Sequence, residues 1–503
     1  MTADEMNIQL KKQNDELTVQ LRALQISLDN LSRNFAMQTQ LLAEANKRNA
    51  ELTAKIEQLT ERLNKNSKNS SKPPSSDGYK KPSPKSLRTS SGKRQGGQAG
   101  HKGNTLESHI EPTSRIPHMG KDCQGCPRAA ECLAKHRPSE TRNVMDAELS
   151  VSLTAHERYC IADCPIHHRA EIGEFPSDIK AHLQYGTNLQ ALVVALNTVG
   201  AVSVNRTHEI LSSVFNIPLS TGTITAMVSR CAEMVTGTLD QIRDHLDSSY
   251  LIHCDETGTR VDGKTFWVHN ASNELYTYLT LDRKRGIEGI NRAGILPDYR
   301  GIIVHDCWNP YWKVEDVTHA VCCAHLLREL NGITENHPDQ KWASRFRSLL
   351  LEMKKVRDKA VSRGRQSLSY YYHHKFDQNY DAIIQSGYDA NPLPDQPKGK
   401  RGRKKRGKVL ALIDRLKNLK ASVCLFTEDF LVPFDNNQAE RDIRMEKTKT
   451  KVSGCFRSED GARWYLKIMS YVGTAKKHGL NAYAAITYAL SGNPNLILLG
   501  QGS

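Results

Sequence analysis

Three acidic residues, Asp255, Asp306 and Glu440, have the types and surroundings of metal ligands for phosphodiester chemistry. Asp255 stands in segment 250–257 (YLIHCDET), where an apolar run ends in a carboxylate and reads as a strand delivering that acid to a sheet edge. Asp306 repeats the pattern, because the run 301–304 (GIIV) is followed by His305 and Asp306. Glu440 falls in DNNQAERDIR, where Asp435, Asn436 and Asn437 offer N-cap chemistry ahead of a helix. Mg²⁺ (or Mn²⁺) is hard, prefers oxygen and keeps waters, so a few carboxylates plus substrate phosphate oxygens suit it. Two such ions about 3.5–4 Å apart stabilise both the attacking and the leaving oxygen in phosphoryl transfer. Any one of these acids alone reads first as a strand cap or as a carboxylate paired with a nearby Arg or Lys. The strand, strand and helix settings together carry the expectation.

Two further groups of residues bear on chemistry. Cys123, Cys126, Cys132, His136, Cys160, Cys164, His167 and His168 cluster between the zipper and the core, and two knuckles around one tetrahedral Zn²⁺ are expected from Cys123, Cys126, Cys160 and Cys164. The second pair has three intervening residues, Cys132 competes for a place, and plain reduced thiols are the alternative. Twelve cysteines in a chain of this length do not make a disulfide scaffold. Cys231, Cys322, Cys323 and Cys424 stand in apolar segments and read as buried thiols. The run Lys398 to Lys408 is Lys or Arg at eight of eleven positions. Lys400, Arg401, Arg403, Lys404, Lys405 and Arg406 within it suit salt-sensitive contact with a DNA backbone; an exposed loop is the other reading.

The elements that must position these groups occupy 503 residues, enough for two to four domains. A net charge of +15 favours a polyanionic partner, nucleic acid before membrane. No apolar stretch approaches the roughly 20 residues of a membrane span, and the polar N-terminus lacks a signal core, so a soluble, intracellular protein is expected. Residues 1–63 carry a heptad register: Leu10, Leu17, Leu24, Leu31, Gln38, Ala45, Leu52 and Leu59 form one row. Asn14, Leu21, Leu28, Phe35, Leu42, Asn49, Ile56 and Leu63 form the other. This predicts a coiled coil that self-associates, with a single helix folded back on its own chain as the alternative. Residues 64–108 are rich in Asn, Ser, Lys, Pro and Gly and read as a basic disordered linker. Residues 109–183 hold the cysteines, and 184–249 read as helices serving as scaffold or DNA-binding platform, with an N-cap at Ser220 or Thr221.

From 250 to 475 the pattern is α/β. KTFWVHNAS and ELYTYLTLD read as hairpin strands around Ser272 and Asn273, RGIEGINRAG as a helix, and THAVCCAHLLREL as a strand passing into a helix. Three antiparallel strands, a crossover helix and a further strand tipped by an acid give the layout of a ribonuclease H-like core, here interrupted by a basic helical insertion at about 335–430. Residues 476–503 read as a helical tail.

Taken together the motifs resemble the IS66 family of bacterial insertion-sequence transposases, of the DDE superfamily. The likeness rests on the zipper, KNSSKPPSSD, GGQAGHKG, the cysteine region, QYG and LSTGTI, HCDETGTRV, IIVHDCW, AHLLREL and DNNQAERDIR. It implies that Asp255, Asp306 and Glu440 bind catalytic divalent ions, and that Lys447, seven residues after Glu440, contacts terminal DNA phosphate. Arg441, Arg444 and Asn437 bind DNA or brace the Glu helix, and the helix with His325 and Arg328 gives packing support. The implied reaction is metal-dependent cleavage at the element ends and strand transfer into target DNA. The implied partners are double-stranded DNA (terminal inverted repeats and target), further copies of the chain and small accessory proteins of the same element, in the cytoplasm at the nucleoid. Two rivals stand beside it: a zipper-dimerised zinc-containing DNA-binding regulator, and a nuclease of the same fold without joining activity.

Overall fold

The computed structural model describes residues 3–66, 69–70, 111–142, 144, 150–162, 165–167, 170–392 and 407–498. In chain order these form α1 (Ala3–Leu63), α2 (Ala129–Lys135), β1 (Cys160–Ile161), β2 (Glu171–Ile172), α3 (Thr187–Asn197), α4 (Val204–Phe215), α5 (Thr221–Met234) and α6 (Thr236–Asp247). Then come β3 (Leu251–Val261), β4 (Lys264–Ser272), β5 (Thr277–Asp282), α7 (Ile287–Ala293), β6 (Ile302–His305), β7 (Thr318–Val321) and α8 (Cys323–Asn336). Seven more helices follow: α9 (Lys341–Val361), α10 (Tyr370–Ala390), α11 (Lys408–Asn418), α12 (Lys420–Glu428), α13 (Asn437–Ser453), α14 (Glu459–Lys477) and α15 (Ala482–Leu490). The fold is mixed α/β and mostly helical, around a five-stranded mixed sheet of order β5-β4-β3-β6-β7.

The chain divides into two compact units. The first comprises Met1–Lys81, Ser249–Cys254 and Pro297–Asn437. Here the opening residues of β3 pair in parallel with β6, Leu251 with Ile302 and His253 with Val304, and β6 pairs in parallel with β7. β6 is buried at every position, as a parallel strand covered on both faces should be. Val304, Val321, Leu326 and Leu330 share a core with Phe346, Leu350, Ile413 and Phe426 from α9, α11 and α12. On α9 the buried Trp342, Phe346, Leu349, Leu350 and Met353 recur at the three-to-four spacing of one helix face. Tyr380 fills the centre, and its hydroxyl donates to the Leu416 carbonyl at 2.7 Å.

The end of α1 is fastened to this unit. Asn64 Nδ2 donates to Asn336 Oδ1 at 3.1 Å, and Glu61 Oε1 lies 3.2 Å from His337 Nε2. Asn69 is 8% exposed; its Nδ2 donates to the Asn64 carbonyl and to Glu335 Oε2, at 2.8 and 2.7 Å. Asn64 and Asn69 at the start of the Asn/Ser-rich segment therefore clasp α8, with Asn69 buried, while 67–68 and 71–108 lie outside the described residues.

The second unit comprises Pro82–Ser248, Asp255–Leu296 and Gln438–Ser503. β3 and β4 are joined by Asp262 and Gly263, whose φ angles of 48° and 70° are those of a tight hairpin turn, the conformation that Asp-Gly favours. β4 returns into β5 through a loop organised by Asn273, whose Oδ1 accepts the Leu275 and Tyr276 N–H groups at 2.9 and 2.7 Å. β5 is an edge strand, and α14 covers it: Ser470 Oγ and Thr474 Oγ1 accept the N–H groups of Leu279 and Thr277 at 2.9 and 3.1 Å. Backbone donors that would otherwise invite another strand are thus satisfied by helix hydroxyls. α14 starts at the Ser458 N-cap, with Glu459 and Asp460 in its first turn and Lys476 and Lys477 in its last, complementing the helix dipole.

Helices α3 to α6 fill the stretch expected to be helical. Ser203 caps α4, and Ser220 rather than Thr221 caps α5. α15 packs on α3 with Ala485, Ile486 and Ala489 fully buried.

Candidate active site

Asp255 lies within β3 rather than at its end, which corrects the expected strand boundary. The strand runs on because the Asp262–Gly263 turn, the strongest local hairpin signal in the stretch, comes only after Val261. Asp255 is half-buried, and its Oδ1 accepts the Glu256 N–H at 2.9 Å. Side chains alternate across a strand, so Glu256 points to the other face. There it is ion-paired with Arg285 at 2.7 Å, and Arg285 stacks 4.8 Å above the Trp267 ring. Glu256 is therefore a structural acid.

Asp306 follows β6 directly, half-buried, with Oδ1 accepting the Trp308 N–H at 3.0 Å in an Asx turn. Cys307 between them has φ 67°, the left-handed backbone this turn demands. The preceding His305 is fully buried, and its Nε2 lies 3.1 Å from His319 Nδ1 on β7. Burial, with the neighbouring His319, pushes the His305 pKa down to about 3, so this ring is a neutral packing partner among Tyr311 and Trp312.

Glu440 stands half-buried in the first turn of α13, where the helix dipole stabilises negative charge. The expected N-cap chemistry is divided. Asp435 Oδ1 accepts the Asn437 N–H at 3.1 Å, whereas Asn436, only 1% exposed, turns inward. Its Nδ2 donates to the Cys254 carbonyl at 2.8 Å, and its backbone N–H to Cys322 Sγ at 3.1 Å. With Nδ2 committed, Oδ1 must accept, so His253, 2.8 Å away, carries its proton on Nδ1.

Along α13, Arg441, Arg444 and Lys447 are exposed at helical spacing, while Ile443, Glu446 and Lys449 face inward. Lys449 Nζ donates to the Asn197 and Val202 carbonyls at 2.7 and 3.2 Å, and burial pulls its pKa down to about 8. Glu446 is 2% exposed, accepts the Thr450 hydroxyl at 3.0 Å, and burial raises its pKa. The helix is also held by Asp442, paired with Lys477 at 2.8 Å, and Lys477 donates to the Asn273 and Tyr276 carbonyls.

Residues 182–464 match the transposase IS66 family, and residues 11–107 match a family of unknown function, DUF6444. The first match spans more than half of the chain and contains Asp255, Asp306, Glu440, Arg441, Arg444 and Lys447. The chain belongs to the IS66 transposase family. Among proteins of curated function none matches it.

In this transposase Asp255 and Glu440 belong to the second compact unit and Asp306 to the first. Among the described residues no group of three or more His, Cys, Asp or Glu side chains is arranged as a metal site. The three acids are nonetheless oxygen donors of the kind a hard divalent cation takes, with the Asp255 and Asp306 rotamers set by backbone N–H groups.

The transposase's cysteine region shows less. Cys123 ends a short 3-10 turn, Cys126 N–H donates to the Cys123 carbonyl at 3.3 Å, and Cys160 opens β1; all three are exposed free thiols, as is Cys132. Cys164 lies outside the described residues, as do Lys400, Arg401, Arg403, Lys404, Lys405 and Arg406. His325 Nδ1 lies 3.3 Å from Cys322 Sγ at the start of α8, in keeping with a packing role. Sequence reasoning missed the inward role of Asn436 and the buried Lys449. Nothing local distinguishes Asn436 from Asn437, whereas Lys449, three residues after Glu446 and six after Ile443, shares their buried stripe.

Proposed function

We propose that the chain is a DDE transposase that cleaves DNA strands at the ends of its insertion element and joins them to target DNA. One observation carries this: the IS66 family match, over residues 182–464, contains all three candidate carboxylates, Asp255, Asp306 and Glu440. The strand order β5-β4-β3-β6-β7 supports the ribonuclease H-like reading of the core. Asp255 stands two residues after His253 and Asp306 two after Val304, the last pair of the β3–β6 ladder.

In this mechanism Asp255, Asp306 and Glu440 hold Mg²⁺ or Mn²⁺. Bound there, the ions supply Lewis-acid stabilisation of the attacking and leaving oxygens. The protein's own work is positioning. The three carboxylates fix the donor set, and Arg441, Arg444 and Lys447 take backbone phosphates of the terminal inverted repeat. The basic run from Lys400 to Arg406 follows duplex DNA without reading sequence. Water cleaves a phosphodiester at the element end, and the freed 3′ hydroxyl then attacks a target phosphodiester, with no covalent enzyme intermediate.

Two further proposals concern partners. Zn²⁺ held by Cys123, Cys126, Cys160 and Cys164 orders the segment before the core, and zinc content by mass spectrometry, halved or lost in the Cys123→Ser/Cys126→Ser variant, is the check. Self-association through α1 assembles the copies needed to hold two DNA ends, with small accessory proteins of the element joining them in the cytoplasm at the nucleoid.

The deciding experiment uses labelled element ends with Mg²⁺. Asp255→Asn, Asp306→Asn and Glu440→Gln should each abolish cleavage while end binding persists. Full activity in any one of them sinks the assignment, and cleavage without strand-transfer product leaves only a nuclease.

A further inference from the structure

Helix α1 stands with both of its heptad rows in water. Leu24 and Leu31 are each 68% exposed, Phe35 72% and Leu63 86%. A continuous apolar seam of this length on a charged protein marks an interface. We propose that its occupant is one second copy of α1, running parallel and in register, so that two copies of the first compact unit lie at the same end of the zipper. The proposal deepens the self-association proposed above and is independent of the transposition chemistry.

The polar residues within the seam decide direction. Asn14 precedes Leu17 by three positions, so the asparagine row is the a row and the Leu10 row is the d row. Asn14 and Asn49 are both at a, and Gln38 is at d. In a parallel, in-register pair each layer joins a residue to its own counterpart, so every buried amide meets an identical amide and both donors and acceptors are matched. In an antiparallel pair a packs on d, and two asparagines at a can never meet. The antiparallel alignment that sets Leu10 against Leu63 puts Asn14 against Leu59, Asn49 against Leu24 and Gln38 against Phe35. Each amide is then buried on an apolar side chain. Leucine across most of the d row with asparagine in the a row also favours two strands over three or four.

The clasp makes direction consequential. The end of α1 is tied to α8 through Asn64 with Asn336, Glu61 with His337 and Asn69 with Glu335. The contact is close: a Cβ at Gly332 would meet the Asn69 carbonyl oxygen at 2.6 Å. Because α1 is a rod of about 90 Å at 1.5 Å per residue, an antiparallel pair would hold the two α8 helices at its opposite ends. A parallel pair brings them together.

The test uses full-length protein with benzoylphenylalanine in place of Leu10, in an equal mixture of light and ¹⁵N-labelled chains. After irradiation, cross-linked peptides are mapped by mass spectrometry, and mass is followed by light scattering. The expected result is twice the 56.5 kDa chain mass, with mixed-isotope links between the two Leu10 regions. Links from position 10 to the Leu59–Leu63 region of the other chain overturn the orientation and leave self-association standing. Monomer mass overturns both. In the Asn14→Leu/Asn49→Leu variant the mass should rise above the dimer value, and an unchanged dimer overturns the role assigned to the asparagines.

Discussion

The side-chain amide of Asn436 donates to the backbone carbonyl of Cys254 at 2.8 Å, tying the residue just before the Glu440 helix to the residue just before Asp255. The same side chain accepts from His253 and the same residue's N–H reaches Cys322, so one buried asparagine joins β3, the entry to α13 and the start of α8.

Asn436→Ala removes the two buried hydrogen bonds that the side chain makes, to the Cys254 carbonyl and to His253 Nδ1. A loss of ~1–3 kcal/mol of stability is expected, from about 0.5–1.5 kcal/mol net for each of the two hydrogen bonds. Asn436→Asp keeps the acceptor for His253 but sets a buried carboxylate oxygen against the Cys254 carbonyl, so it should cost at least as much. Urea unfolding midpoints of the three proteins give the ranking, and an Asn436→Ala midpoint equal to wild type would show that the latch bears no load.

Arg441, Arg444 and Lys447 form one exposed basic face of α13. Replacing all three with Ala should lower the slope of log affinity for element ends against log salt by up to ~2.7, at about 0.9 per phosphate contact. Fluorescence anisotropy across a salt series measures this. Unchanged slope with unchanged affinity removes the face from the DNA interface.

Lys449 supplies a pH dependence with a definite sign. Its folded pKa of about 8 lies below the ordinary 10.5, so between these values the unfolded chain holds a proton that the folded chain has released. Stability therefore rises with pH through that window. Relative to Lys449→Met, wild type should gain ~1–3 kcal/mol between about pH 8 and 10. Paired chemical denaturation curves at the two pH values test it; a gap that shrinks or stays constant contradicts the assignment.

Gly332→Ala sets two effects against each other. Alanine in a helix interior gains about 1 kcal/mol over glycine, but here its Cβ meets the Asn69 carbonyl oxygen at 2.6 Å. The expected outcome is an unchanged or higher melting temperature for the core, together with faster amide exchange at Asn64, Asn66 and Asn69 as the clasp lets go. Unchanged exchange there would mean the segment accommodates the methyl group.

Features that depend on short-range pattern are legible in the residues alone. The heptad rows gave a single helix, Ala3–Leu63. Alternation gave the β4–β5 hairpin around Asn273, and GIIV before Asp306 gave β6. Motif wording alone led to the family, because DNNQAERDIR, IIVHDCW and HCDETGTRV are each weak but jointly specific. Other features depend on groups far apart in the chain and emerge only on folding. The far end of the Asp255 strand is held by Phe456, whose N–H donates to the Arg260 carbonyl at 3.0 Å and whose carbonyl accepts the Asp262 N–H at 2.8 Å. Asn436 faces inward because Cys254, 182 residues away, offers its side chain a carbonyl acceptor. Lys449 is buried because the end of α3, at Asn197, and the loop before α4, at Val202, each present a carbonyl to it. Local propensity carries no record of such partners, since a buried polar group takes its meaning from whichever distant group completes its hydrogen bonds.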